Sequence, residues 1–112
     1  AMNRMDGEVK GGTFTAAHTE IKGVDAPDGA VTLGFRAEDA EVVAKGGQIN
    51  APVYTMELLG EATMVSVRIG GALNSVKADK NYRAEIGDSV SIKVPIKICH
   101  LFQADTGERI GG

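Results

Sequence analysis

Tryptophan is absent, and aromatic residues make up only 4% of the chain, as two Tyr and three Phe. Platforms that stack bases or sugar rings need more aromatic surface than this. The core is therefore expected to be built from Val, Ile, Leu, Met and Ala. Cysteine occurs once, as Cys99, so no internal disulfide can form and a disulfide-stapled secreted scaffold is excluded. A reducing, cytoplasmic setting fits that usage. Runs of positive charge are missing too. Twelve Lys and Arg stand apart from one another against fifteen Asp and Glu, for a net charge of −3. Nucleic acid is a poor partner on that balance, because phosphate neutralisation dominates such binding. No apolar stretch approaches the ~20 residues that span a bilayer as a helix, and the first residues do not read as a signal peptide.

What remains is a chain of 112 residues with 43% hydrophobic and 24% charged side chains, the size and balance of one folded module spanning 1–112. Ala1 ahead of Met2 reads as the remnant of a cleaved tag, and the chain as an excised fragment. Glycine is about twice as frequent as usual, with 15 copies scattered without period, which predicts many tight turns. Apolar and polar residues alternate with period two, whereas the three-to-four spacing of an amphipathic helix is nowhere sustained. Strands are predicted at Met5 to Val9, Thr13 to Ala16, Val31 to Phe35, Glu41 to Val43, Val53 to Leu59, Thr63 to Ile69, Asn74 to Ala78 and Ser89 to Val94. Glycine-bearing turns separate most of them. In Thr63 to Ile69, Val65, Val67 and Ile69 share one face while Met64, Ser66 and Arg68 share the other, the pattern of a half-buried antiparallel strand. One helical or 3-10 turn is expected at Arg36 to Ala40. The fold class is all-β: a small OB-like barrel of short antiparallel strands, since closing the sheet removes exposed edges.

Catalytic signatures are missing. No glycine cluster is followed by Lys and then Ser or Thr in the register of a phosphate-binding P-loop. His18, Cys99 and His100 are the only imidazole and thiol groups. His18 is remote in sequence and the other two are adjacent, hence on opposite faces of an extended segment, so neither a zinc site nor a Cys–His nucleophile is expected. Cys99 reads as a small buried hydrophobe and His100 as a residue that caps a turn or meets water. The carboxylates are spread rather than paired. Arg36, close to Glu38 and Asp39, suggests a guanidinium fork that braces the barrel or an interface.

Val31-Thr32-Leu33-Gly34-Phe35-Arg36-Ala37-Glu38-Asp39 resembles the strand, Gly, hydrophobe and Arg-Pro-Glu-His/Asp pattern found in the C-terminal domain of ATP-binding subunits of bacterial ABC importers, of the sugar and glycerol-phosphate type. Tyr54-Thr55-Met56-Glu57-Leu58-Leu59-Gly60 and Gly87-Asp88-Ser89-Val90 are similar to further segments of that domain. So is His100-Leu101-Phe102-Gln103-Ala104-Asp105-Thr106-Gly107-Glu108-Arg109-Ile110, which looks like its terminal Leu-Phe-Asp-x-x-Thr-Gly-x-x-Ile. The start, Met2-Asn3-Arg4-Met5-Asp6-Gly7-Glu8-Val9, looks like the Met-Asn-x-x-x-Gly-x-Val that follows the nucleotide-binding domain. Ala37 stands in place of the usual Pro, and Gln103 in place of the usual Asp.

The resemblance covers nearly the whole chain. It implies a TOBE-type, OB-like or MOP-like barrel that is not itself catalytic, serving subunit pairing and regulation. Its motif residues are Gly34, Arg36, Glu38, Asp39, Gly60, Gly87, Asp88, Leu101, Phe102, Thr106 and Gly107, expected in structural or interface roles. No cofactor or metal is expected in this chain; ATP and Mg²⁺ are implied for the parent subunit only. The implied partners are the nucleotide-binding domain of the same subunit, a second copy, the membrane permease subunits and a regulatory protein. The implied location is the cytoplasmic face of the bacterial inner membrane. The alternative is an oxyanion-binding module of the molybdate type, for which Ser66, Ser75, Lys77 and Ser89 could supply donors.

Overall fold

The computed structural model describes residues 2–110; Ala1, and with it the reading of a tag remnant, lies outside them. Eleven strands account for the regular structure: β1 (Met2–Lys10), β2 (Thr13–Ala16), β3 (Thr19–Lys22), β4 (Gly29–Arg36), β5 (Glu41–Val43), β6 (Ile49–Leu58), β7 (Thr63–Ile69), β8 (Ala72–Ala78), β9 (Ser89–Lys93), β10 (His100–Gln103) and β11 (Arg109–Ile110). Two 3-10 turns interrupt them, at Ala37–Asp39 where one was expected, and at Ile96–Ile98. The fold is all-β and antiparallel, as the alternation predicts, in a barrel-like arrangement of short strands.

The strands run in the spatial order β11-β10-β4-β1-β2-β3-β6-β7-β8, with β9 pairing both β6 and β5. The long β6 serves two partners in succession: Ile49 to Pro52 lie against β9, and Val53 to Leu58 against β7. A register shift between Val53 and Thr55 marks the handover, the local bend expected of a bulge. The ring is completed where β8 returns to β1, and side chains make the join: Asn74 Nδ2 donates to the Arg4 carbonyl at 3.5 Å, and Asn3 adds two shorter bonds. Asn3 accepts the amide of Ser75 at 2.8 Å through Oδ1 and donates to the Ser75 carbonyl at 2.6 Å through Nδ2. One carboxamide thus presents the donor and acceptor of a peptide unit to a strand edge, satisfying groups that would otherwise be unpaired.

The core follows from the alternation. Met5, Val9, Ile21, Leu33, Ile49, Val53, Val65, Val67, Val76 and Ile92 are fully buried, and Ile69 and Val90 nearly so. The expectation of an aliphatic core needs correcting in one respect: Phe14 and Phe35 are among its largest side chains. Scarcity did not keep aromatics out, because one large ring fills what several methyl groups cannot. Phe14 is accommodated by Gly7, where a Cβ would stand 2.6 Å from the ring. On β7 the expected polar face is partly covered as well, since Ser66 is buried against Ser75 with their hydroxyl oxygens 2.7 Å apart.

Three strands lie outside the predicted set: β3, β10 and β11. His100 accordingly sits in a strand rather than capping a turn, and its Nδ1 is 2.7 Å from the Arg109 guanidinium.

Candidate functional site

The motif residues fall into four places. On the β4 and β10 pair, Gly34 lies between Arg4 of β1 and His100 of β10. Leu101 is buried opposite Leu33, and Phe102, half-buried opposite Thr32, carries the Arg4 guanidinium 5.2 Å above its ring. Arg36 ends β4 and is exposed; Glu38 and Asp39 form the following 3-10 turn. The β10–β11 turn is held by Thr106 and Gly107. The amide of Gly107 donates to the Gln103 carbonyl at 2.8 Å, and the Thr106 hydroxyl donates to Gln103 Oε1 at 3.3 Å. Gln103 therefore fulfils, as an acceptor within the turn, a role that needs no negative charge.

Gly87 and Asp88 stand elsewhere, at the entrance to β9. Asp88 Oδ2 accepts the Glu85 amide at 2.9 Å, its carbonyl accepts the Val53 amide at 2.8 Å, and the Gly87 amide donates to the Val53 carbonyl at 2.9 Å. With φ +97° at Gly87, a conformation L side chains rarely adopt, the pair locks the loop onto β6. Gly60, at φ +75°, turns the chain between β6 and β7. The structure thus unites Gly34, Arg36, Leu101 and Phe102 and disperses the others into turns.

A cleft of about 470 Å³ lies between β1, the Ala37–Asp39 turn and β7–β8. Asn3, Glu38, Glu61, Met64, Ser75 and Lys77 are among its walls. Here two of the candidate anion ligands, Ser75 and Lys77, come together with Ser66 behind them, whereas Ser89 belongs to β9. The Ser66 and Ser75 hydroxyls bond to each other, and the Ser75 amide is taken by Asn3. One of the two hydroxyl protons and the Ser75 amide are thus taken up by protein partners.

Among the described residues, no group of three or more His, Cys, Asp or Glu converges as metal ligands would. Cys99 is half-buried, its Sγ donates to the Pro95 carbonyl at 3.5 Å, and burial pushes its pKa up to about 11. A thiol so placed is a poor nucleophile. No described helix is long and apolar enough to cross a membrane.

Residue reasoning did not single out Arg4 or Arg109. Their placement depends on strand pairings between segments far apart in sequence. Only Asn3 carried a signal, as part of the Met-Asn segment.

No family model matches the chain. It is similar to the sn-glycerol-3-phosphate import ATP-binding protein UgpC of Psychromonas ingrahamii, 28% identical over 98% of this chain and 32% of that protein. A second relative, UgpC 1 of Rhizobium johnstonii, is 33% identical over 71% of this chain and 22% of its own length. The chain thus spans about a third or less of the length of these relatives. Over most of its length it is similar to a part of the ATP-binding subunits of ABC importers, those for sn-glycerol-3-phosphate among them.

Proposed function

We propose that the chain is a non-catalytic pairing and regulatory module, of the TOBE type, from the ATP-binding subunit of an ABC importer for carbohydrate-type solutes. One observation carries this reading: the alignment takes in 98% of the chain but only 32% of a glycerol-3-phosphate importer subunit, as an accessory domain would. The absence of any P-loop in the sequence agrees with it. In the longer protein, ATP and Mg²⁺ belong to the nucleotide-binding domain, and the module works at the cytoplasmic face of the membrane beside the permease subunits.

Exposed apolar surface supports pairing of two copies. Tyr54 on β6 and Leu73 on β8 are 49% and 50% exposed, on either side of Arg68, whose guanidinium lies 5.3 Å from the Tyr54 ring centre. Arg68 in turn pairs with Leu73 across β7 and β8. Aromatic, aliphatic and Arg side chains together are the composition enriched at interfaces.

The reading is tested by calorimetry with Mg·ATP and by sedimentation over a wide concentration range. It predicts no saturable ATP binding and a concentration-dependent monomer–dimer equilibrium. Micromolar ATP affinity, on the order of −8 kcal/mol, would contradict it.

A further inference from the structure

We infer that the outer face formed by β1, β4, β10 and β11 is a docking surface for an acidic peptide segment of a protein partner. This inference does not depend on the importer reading.

Strand pairing collects basic side chains on this face that the sequence keeps far apart. Met2 pairs with Arg36, Arg4 with Gly34, Gly34 with His100, and Phe102 with Arg109. Side chains of paired residues share a face, so Arg4, Arg36, His100 and Arg109 stand around Gly34, the one position with no side chain. Met2 leans over that gap, its Sδ 2.6 Å from where a Cβ would be. Asp6, on the same face, already accepts the Thr32 hydroxyl at 2.8 Å. Glu38, which follows Arg36, lines the cleft.

A cluster of this kind is not expected from a chain of net charge −3, and two of its arginines are ordered by neighbouring rings. The Phe102 ring holds the Arg4 guanidinium at 5.2 Å, and His100 Nδ1 holds that of Arg109 at 2.7 Å. Guanidinium groups fixed in advance lose less freedom on meeting a carboxylate, and each retains forked donors suited to one. Geometry selects the occupant. Arg4 and His100 flank β4, a separation of about 10 Å at ordinary strand spacing. The Arg4 guanidinium reaches across β4 to the Phe102 ring, so the face presents a row of four basic side chains, more than one phosphate can pair, whereas carboxylates on alternate residues of an extended peptide, about 7 Å apart, can meet several of them at once.

The test is titration of the ¹⁵N-labelled chain with octaglutamate at low salt, followed by amide shifts. The expected result is saturable movement confined to residues around Arg4, Gly34, Arg36, His100 and Arg109, fading as salt rises. R4A/R36A/R109A should weaken binding about tenfold or more, while K22A/K45A/K80A, with the same charge change elsewhere, should alter it less than about twofold. Dispersed amide shifts in each variant report whether it is folded, and the wild-type map stands without them. Equal losses in the two variants, shifts spread over the whole surface, or no binding would overturn the inference. So would inorganic phosphate producing the same shifts at lower concentration than the peptide.

Discussion

Asn3 supplies the two shortest side-chain hydrogen bonds across the β1–β8 seam, and its removal should be costly out of proportion to its size. Asn3→Ala deletes both hydrogen bonds to Ser75 and leaves that residue's amide and carbonyl without protein partners at a half-buried edge. At roughly 1–3 kcal/mol for an abandoned buried polar group, we expect a loss of about 2–3 kcal/mol in urea unfolding, with the far-UV spectrum preserved. An unchanged midpoint would show that strand packing alone holds the seam. Cys99 supplies a second expectation at this scale. With its pKa pushed up from 9.0 to about 11, the folded thiol stays protonated where an unfolded one has begun to ionise. Between those values the native state binds more protons than the unfolded state, so stability falls as pH rises through that window. Alkylation by iodoacetamide at pH 9 should be slow in buffer and accelerate sharply in denaturant; equal rates would place the thiol in solvent.

Among the elements, strands framed by alternation and turn residues were the legible ones, whatever their length. β2, β5 and β7 fall where the pattern puts them, and the 3-10 turn after Arg36 follows from the helix-tolerant Ala37-Glu38-Asp39 after a strand. The misses share a cause. β10 and β11 exist because they pair with β4 and with each other, and His100-Leu101-Phe102-Gln103 and Arg109-Ile110 carry no alternation that distinguishes them from a loop. β3 does alternate, with Thr19 and Ile21 buried, but it follows His18 at φ +55°, a conformation uncommon for a residue other than Gly and invisible in composition. The basic face was unreadable for the same reason: its members meet only through register. The β1–β2 hairpin offers a direct check on packing. Gly7→Ala would press a methyl group against the Phe14 ring and the Thr15 backbone; overpacking of this kind costs about 1–3 kcal/mol. We expect thermal unfolding to shift down accordingly, and a neutral result would mean that the Phe14 ring can move aside.

At the scale of the whole molecule, the proposed pairing surface can be separated from the fold that carries it. Leu73 is half exposed on β8, so Leu73→Glu should leave the monomer's melting temperature nearly unchanged while placing like charges opposite one another in a two-fold contact. Sedimentation should then show a monomer at concentrations where the parent chain dimerises; an unaltered equilibrium would move the interface elsewhere. The side-chain seam between β1 and β8 also has a kinetic consequence. Asn3 and Ser75 are 72 positions apart, whereas the β7–β8 and β1–β2 hairpins join neighbours in the chain. Local pairings pay little loop entropy and can form early, but a contact this distant repays its closure cost only after the intervening strands are in place. The seam is therefore the last part of the ring to shut and the first to open. Stopped-flow measurements on Asn3→Ala should find refolding almost as fast as in the parent chain and unfolding faster by nearly the whole equilibrium loss, so that the Asn3 carboxamide governs how long the ring stays closed more than how quickly it forms.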